Sequence, residues 1–173
     1  MSRTAVRALV GAMLATATLL AGCSPQPGTA AVVDGERIPQ SDVADAIDDL
    51  GPVLSSTDPA AMLSFLIISP VFVQVASEAG VGVSEQDGAS FLDSAFEQSG
   101  QTPPATYSDA AVLLGEQAAA STNLSGLDDS STALSTITER IAALDVEVNP
   151  RYGTFDPSSG SITAISLPWI AQG

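Results

Sequence analysis

No residue between Asp58 and Glu78 carries a charge. These nineteen positions include Met62, Leu63, Phe65, Leu66, Ile67, Ile68, Val71, Phe72, Val73 and Val75. A stretch this apolar must be enclosed by the rest of the chain or by lipid. Pro70 removes a backbone hydrogen bond near its middle, Ser64, Ser69 and Gln74 interrupt it, and no basic residue flanks it. The segment therefore reads as a buried, kinked core helix, opened by Asp58-Pro59 and closed at Gly80 in the left-handed C′ conformation with Val81 packing back. Every other element must offer it an apolar face.

The remaining chain supplies such faces. Ala30 to Asp34 reads as a strand, Asp34-Gly35 as a turn, and Glu36 to Ile38 as a second extended segment ending at Pro39. Ser41 is the expected N-cap of a helix with the stripe Val43, Ala46, Ile47 and Leu50, ended by Gly51-Pro52. Ser84 with Asp87 opens a helix over about Glu85 to Gln98 whose apolar face is Phe91, Leu92, Ala95 and Phe96. Ser108 caps a fourth helix through Ala120. Asp128 or Asp129 opens a fifth, with Leu134, Ile137, Ile141 and Leu144 at helical spacing. Val146-Glu147-Val148 then alternates with period two, Asn149-Pro150 marks a turn, and Tyr152 to Asp156 with Ile162 to Ile165 form a hairpin around Pro157 to Gly160. The expected class is mainly α with a small β element (α+β): a helical bundle closed by the N-terminal strand pairing with C-terminal strands, since a lone strand cannot satisfy its backbone.

The first 23 residues carry a different signal. Arg3 and Arg7 precede thirteen uncharged residues, Ala8 to Leu20, and then Leu20-Ala21-Gly22-Cys23. The order of charge, short apolar run and small pair is that of an export signal. The tetrad resembles the lipobox of bacterial lipoproteins. The resemblance implies that a peptidase reads Leu20, Ala21 and Gly22 and cleaves after residue 22, leaving Cys23 acylated as the new N-terminus. Two acyl chains would anchor the protein stably to the extracytoplasmic face of the cell membrane without a spanning helix. Residues 23–29 then form the lipidated Cys and a tether, Ser24 to Thr29, of about 19 Å if polyproline-like, and residues 30–173 a single domain.

Composition narrows the chemistry. The chain has 5 basic residues, all Arg, against 20 acidic ones, no His and one Cys. Loss of Arg3 and Arg7 would leave three Arg and a formal charge of −17. His- or multi-Cys-based zinc sites, Ser-His triads, Schiff bases and P-loop cradles have no residues to build them. Scattered Arg do not suit nucleic acid. No cofactor and no metal are expected, and cationic partners are favoured over anionic ones.

Three segments carry a further resemblance. Ala30-Ala31-Val32-Val33-Asp34-Gly35-Glu36-Arg37-Ile38-Pro39-Gln40-Ser41-Asp42-Val43 resembles the opening of the N-terminal chaperone domain of SurA-type extracytoplasmic foldases. Ala76-Ser77-Glu78-Ala79-Gly80-Val81-Gly82-Val83-Ser84-Glu85 is similar to that family's core helix, turn and next helix cap. Val146 to Asp156 looks like the closing strands of actinobacterial lipoproteins described as SurA-N-like. The resemblance implies a tethered holdase binding unfolded exported polypeptides through apolar surface. The parvulin domain that such foldases often carry has no room here and parvulin sites use His, so isomerase activity is not implied.

Candidate catalytic groups are few. Asp45 and Asp49 share a helix face with Asp48 near by, but the apolar stripe lies opposite and the three read as a solvated face. Asp128 and Glu139 have calcium-loop spacing, yet Ala133 stands where a Gly is required. Tyr107, Tyr152 and Trp169 are the candidates for a peptide-binding surface; Phe65, Phe72, Phe91, Phe96 and Phe155 read as core, and Arg151 as one half of a structural ion pair. No enzymatic function is expected. A chaperone-like module requires a contiguous exposed apolar groove of several hundred Å²; the alternative, an adaptor lipoprotein docking one folded envelope partner, requires only a flatter patch.

Overall fold

The computed structural model describes residues 27–163. The chain runs β1 (Thr29–Val33), β2 (Glu36–Pro39), α1 (Gln40–Leu50), α2 (Pro59–Glu78), α3 (Glu85–Gln98), α4 (Asp109–Ser125), α5 (Ser130–Ala143), β3 (Val146–Val148), β4 (Thr154–Asp156) and β5 (Ser161–Thr163). It is a mainly helical fold with small antiparallel sheets, as the sequence pattern predicts. Cys23, its preceding tripeptide Leu20-Ala21-Gly22, Trp169 and the end of the second hairpin strand lie outside the described residues.

β1 is the hub of a three-stranded sheet ordered β2-β1-β3. On one side Asp34 and Gly35 both adopt positive φ (51° and 85°). That pair of conformations matches the twist of a two-residue hairpin, which brings Val32 opposite Arg37. On the other side Ala31 pairs with Val148 and Val33 with Val146, so the N-terminal strand is closed by a C-terminal one. Asn149 reinforces the closure, its backbone N–H donating to Ala30 O at 2.8 Å and its side-chain amide to Thr29 O at 2.9 Å.

α2 is the central helix, its backbone helical without a break through Pro70. Although long and apolar enough to cross a membrane, it is packed by α1, α4, α5, β1 and β5. Asp58 caps it, accepting from the N–H groups of Ala60 and Ala61. A Schellman turn ends it: Val81 N donates to Ala76 O (2.9 Å) and Gly80 N to Ser77 O (3.1 Å), with Gly80 at φ 76°. The forward half of α2 shares a core with β1, α1, α3 and α4. Its rear half packs with α4 and α5, where Ala133, Ile137 and Ile141 recur every fourth residue.

Four local expectations are corrected. Ser41 does not cap α1: the helix begins at Gln40, whose N–H donates to Gly28 O at 2.8 Å, so the turn residue just before β1 supplies the acceptor and the Ser41 hydroxyl donates to Asp42. α4, capped by Ser108 as expected, continues past Ala120 to Ser125. Leu134 is 57% exposed because it is one residue off the stripe that α5 buries. Arg151 has no carboxylate partner among the described residues; its guanidinium donates to Gln40 Oε1 at 3.0 Å and lies 5.3 Å from the Tyr152 ring centroid. The ion pair present among the described residues is instead Arg140 with Glu78, joining α5 to the end of α2.

A polar staple fixes the β4-β5 hairpin to α2. The buried Ser64 hydroxyl donates to Ala60 O and accepts from Ile162 N, both at 2.9 Å. Ser64→Ala leaves that amide without its acceptor and is expected to cost about 1–3 kcal/mol. Hydrogen exchange at Ile162 should accelerate while exchange in α3 is unchanged.

Candidate functional site

Helix packing decides which apolar side chains remain uncovered. On α3 the buried positions are Gly88, Leu92 and Phe96, spaced four apart. Phe91 is one residue away, about 100° around the helix, and is 37% exposed. On α2, Phe65 is 48% exposed although its neighbours Ser64 and Leu66 are buried, and Leu54, in the connection from α1, is 38% exposed. These three side chains converge. Together with Met62, Leu92 and Leu114 they line a groove of about 290 Å³ between α2, α3 and α4. Among the described residues no ionisable one lines it; Ser56, Ser99 and Gln117 are the polar groups there. The expectation that Phe65 and Phe91 belong to the core is therefore overturned. Phe96 is buried, whereas Phe72 and Phe155 are half-buried against the core. The groove is close to the lower bound of about 300 Å³ for small-molecule sites.

Neither Tyr107 nor Tyr152 lines it. Tyr107 packs on Phe96 with ring centroids 6.1 Å apart, and its hydroxyl donates to Asp93 Oδ1 at 3.0 Å. Burial, then the hydrogen bond to Asp93, pushes its phenol up to about 12. The ordinary value is about 10, so the neutral phenol stabilises the fold fully below about pH 10, and that contribution is lost as pH rises through 12. Tyr107→Phe is accordingly expected to remove a phenolate absorbance transition near pH 12 and the associated fall in urea midpoint between pH 10 and 12. Tyr152 is half-buried, with Arg151 over its ring.

The acidic face of α1 divides on inspection. Asp45 and Asp48 are exposed, but Asp49 accepts from Ser108 N at 2.7 Å and so holds the N-terminus of α4, a tertiary role that corrects its reading as merely solvated. In a hollow of about 320 Å³ between α3 and α4, Glu85, Asp109 and Glu116 face one another. Burial, then the charges of Glu85 and Asp87, pushes the Glu116 carboxyl up. Among the described residues no group of three His, Cys, Asp or Glu side chains is placed to hold a metal ion.

Compared with known protein families, with curated proteins and with solved structures, the chain matches none of them.

Proposed function

We propose that this is a membrane-tethered extracytoplasmic lipoprotein, anchored through Cys23, that holds short apolar segments of unfolded exported polypeptides and has no isomerase activity. The lipobox-like Leu20-Ala21-Gly22-Cys23 supports the anchor. The SurA-type resemblance of the first strands and helix supports the class of client. The observation that carries the reading is the uncharged groove with exposed Phe65, Phe91 and Leu54 on a chain of net charge −15. Apolar side chains left bare where a charged surface surrounds them mark contact sites. The groove's size suits a few client side chains held weakly and released, rather than a long stretch gripped tightly.

The test is suppression of aggregation of a reduced, unfolded client at near-equimolar ratio. The wild-type protein should suppress it, and a Phe65→Ser, Phe91→Ser double variant should not, since both positions are exposed and the core is untouched. Cys23→Ser should shift the protein from membranes to the medium. A failure to hold any client, with one native envelope protein copurifying stoichiometrically from membranes, would replace this reading with the adaptor one.

A further inference from the structure

A second cleft, of about 430 Å³, opens on a different side of α2, between the β1-β2 hairpin and the α2-α4 pair. Its floor is apolar: buried Leu66, Ile67 and Val71 of α2, with half-buried Leu113 of α4 and Leu144 after α5. Its rim is not. Asp34, Glu36, Asp42 and Asp109 come to it from the hairpin, α1 and α4, against Arg37 as the one cation among the described lining residues. None of these acids has a salt-bridge partner among the described residues. Asp34 accepts from Asp145 N at 2.9 Å and Asp42 receives the Ser41 hydroxyl, while Arg37 turns to Gly28 O. Acids that outnumber the cation around one opening attract a further cation to it.

Two backbone features complete the cleft. Pro70 lines it and has no N–H, so the carbonyl of Leu66, one turn earlier, lacks its usual helical donor. β2 is the edge of its sheet and contributes Glu36, Arg37 and Ile38 to the wall. An edge strand offers free peptide groups to an incoming chain.

The geometry points to this cleft as a docking site for a polypeptide segment in which Lys or Arg stands beside apolar side chains. The apolar side chains lie over Leu113 and Leu144, and the cation sits among Glu36, Asp42 and Asp109. Backbone groups of the segment meet the β2 edge. A lipid with an anionic headgroup is repelled by the rim, and a small polyamine leaves the apolar floor uncovered. The site is separate from the groove of Phe65 and Phe91 and does not depend on it.

Fluorescence anisotropy of labelled octapeptides with the full-length protein in neutral detergent tests the assignment. A Lys-Leu-Ile peptide should bind about tenfold more tightly than the same peptide with Glu for Lys, and its affinity should fall several-fold between low and physiological salt. Glu36→Gln with Asp42→Asn should weaken it about fivefold. Leu113→Asn should weaken it too, while an uncharged apolar peptide bound at Phe65 and Phe91 is unaffected by all three changes. Equal binding of the Lys and Glu peptides, indifference to the acid variants, or full competition by spermidine alone would overturn the assignment.

Discussion

Gly115→Val is expected to destabilise the protein by about 3 kcal/mol or more, enough to unfold much of a domain of ordinary stability. α3 and α4 cross with their backbones in contact at two glycines. A Cβ on Gly115 would run into the carbonyl oxygen of Gly88, and would stand 2.9 Å from Leu92 Cγ. A Cβ on Gly88 would lie 2.8 Å from both Glu116 N and Val112 O. The obstacles are mostly backbone atoms, so relief requires the helices to separate, and separation opens the core around Leu92 and Phe96. Even Gly115→Ala should be destabilising, although alanine gains about 1 kcal/mol in helix propensity. Urea unfolding followed by circular dichroism measures this. An unchanged midpoint for the valine variant would show that the helices do not approach this closely.

Phe96→Ala should cost about 3–5 kcal/mol. Phe96 is 2% exposed and among the largest fully enclosed side chains, in the core shared by α1, α2, α3 and α4. Its ring also carries Tyr107, which stands just before Ser108, the cap of α4. Truncation thus leaves a cavity and releases the segment that positions the start of α4. Two further readouts separate this from a general loss of packing. The Tyr107 phenol, less buried, should titrate below 12, and exchange of the Ala111 amide, which Ser108 Oγ accepts, should accelerate early. Phe91→Ala, one residue from the buried stripe, should cost far less, because its side chain is already partly in water.

The contrast between Phe96 and Phe91 shows where sequence reading ends. The four-residue spacing of Gly88, Leu92 and Phe96 was present to be read, and it excludes Phe91 from the same face; an apolar face drawn wide enough for both hid the difference. For Phe65 no such signal existed. α2 is apolar on all sides, so no periodicity picks out the side left bare, and only the positions of α3 and the α1-α2 connection determine it. The acids of the second cleft were equally illegible. Asp34, Glu36, Asp42 and Asp109 read as turn, strand and helix-terminus residues, and their common opening exists only once β2 folds beside α4.

Local chemistry in the chain itself determined the five helices, the Asp34-Gly35 turn, the Ser84, Ser108 and Asp58 caps and the pairing of the first strand with a C-terminal one, while the choice of Val146 to Val148 came from the tertiary structure. The former follow from hydrogen bonds and side-chain spacings within a few residues, or from the need of a lone strand for a partner. Tertiary structure alone decided that Gly28, just before β1, rather than Ser41 supplies the acceptor at the start of α1, that Asp49 holds α4, and that Phe65, Phe91 and Leu54 meet in an uncharged groove. Each depends on which elements come to lie side by side, and on how closely two glycines let α3 and α4 approach. Contacts between residues far apart in sequence leave no periodic trace in it.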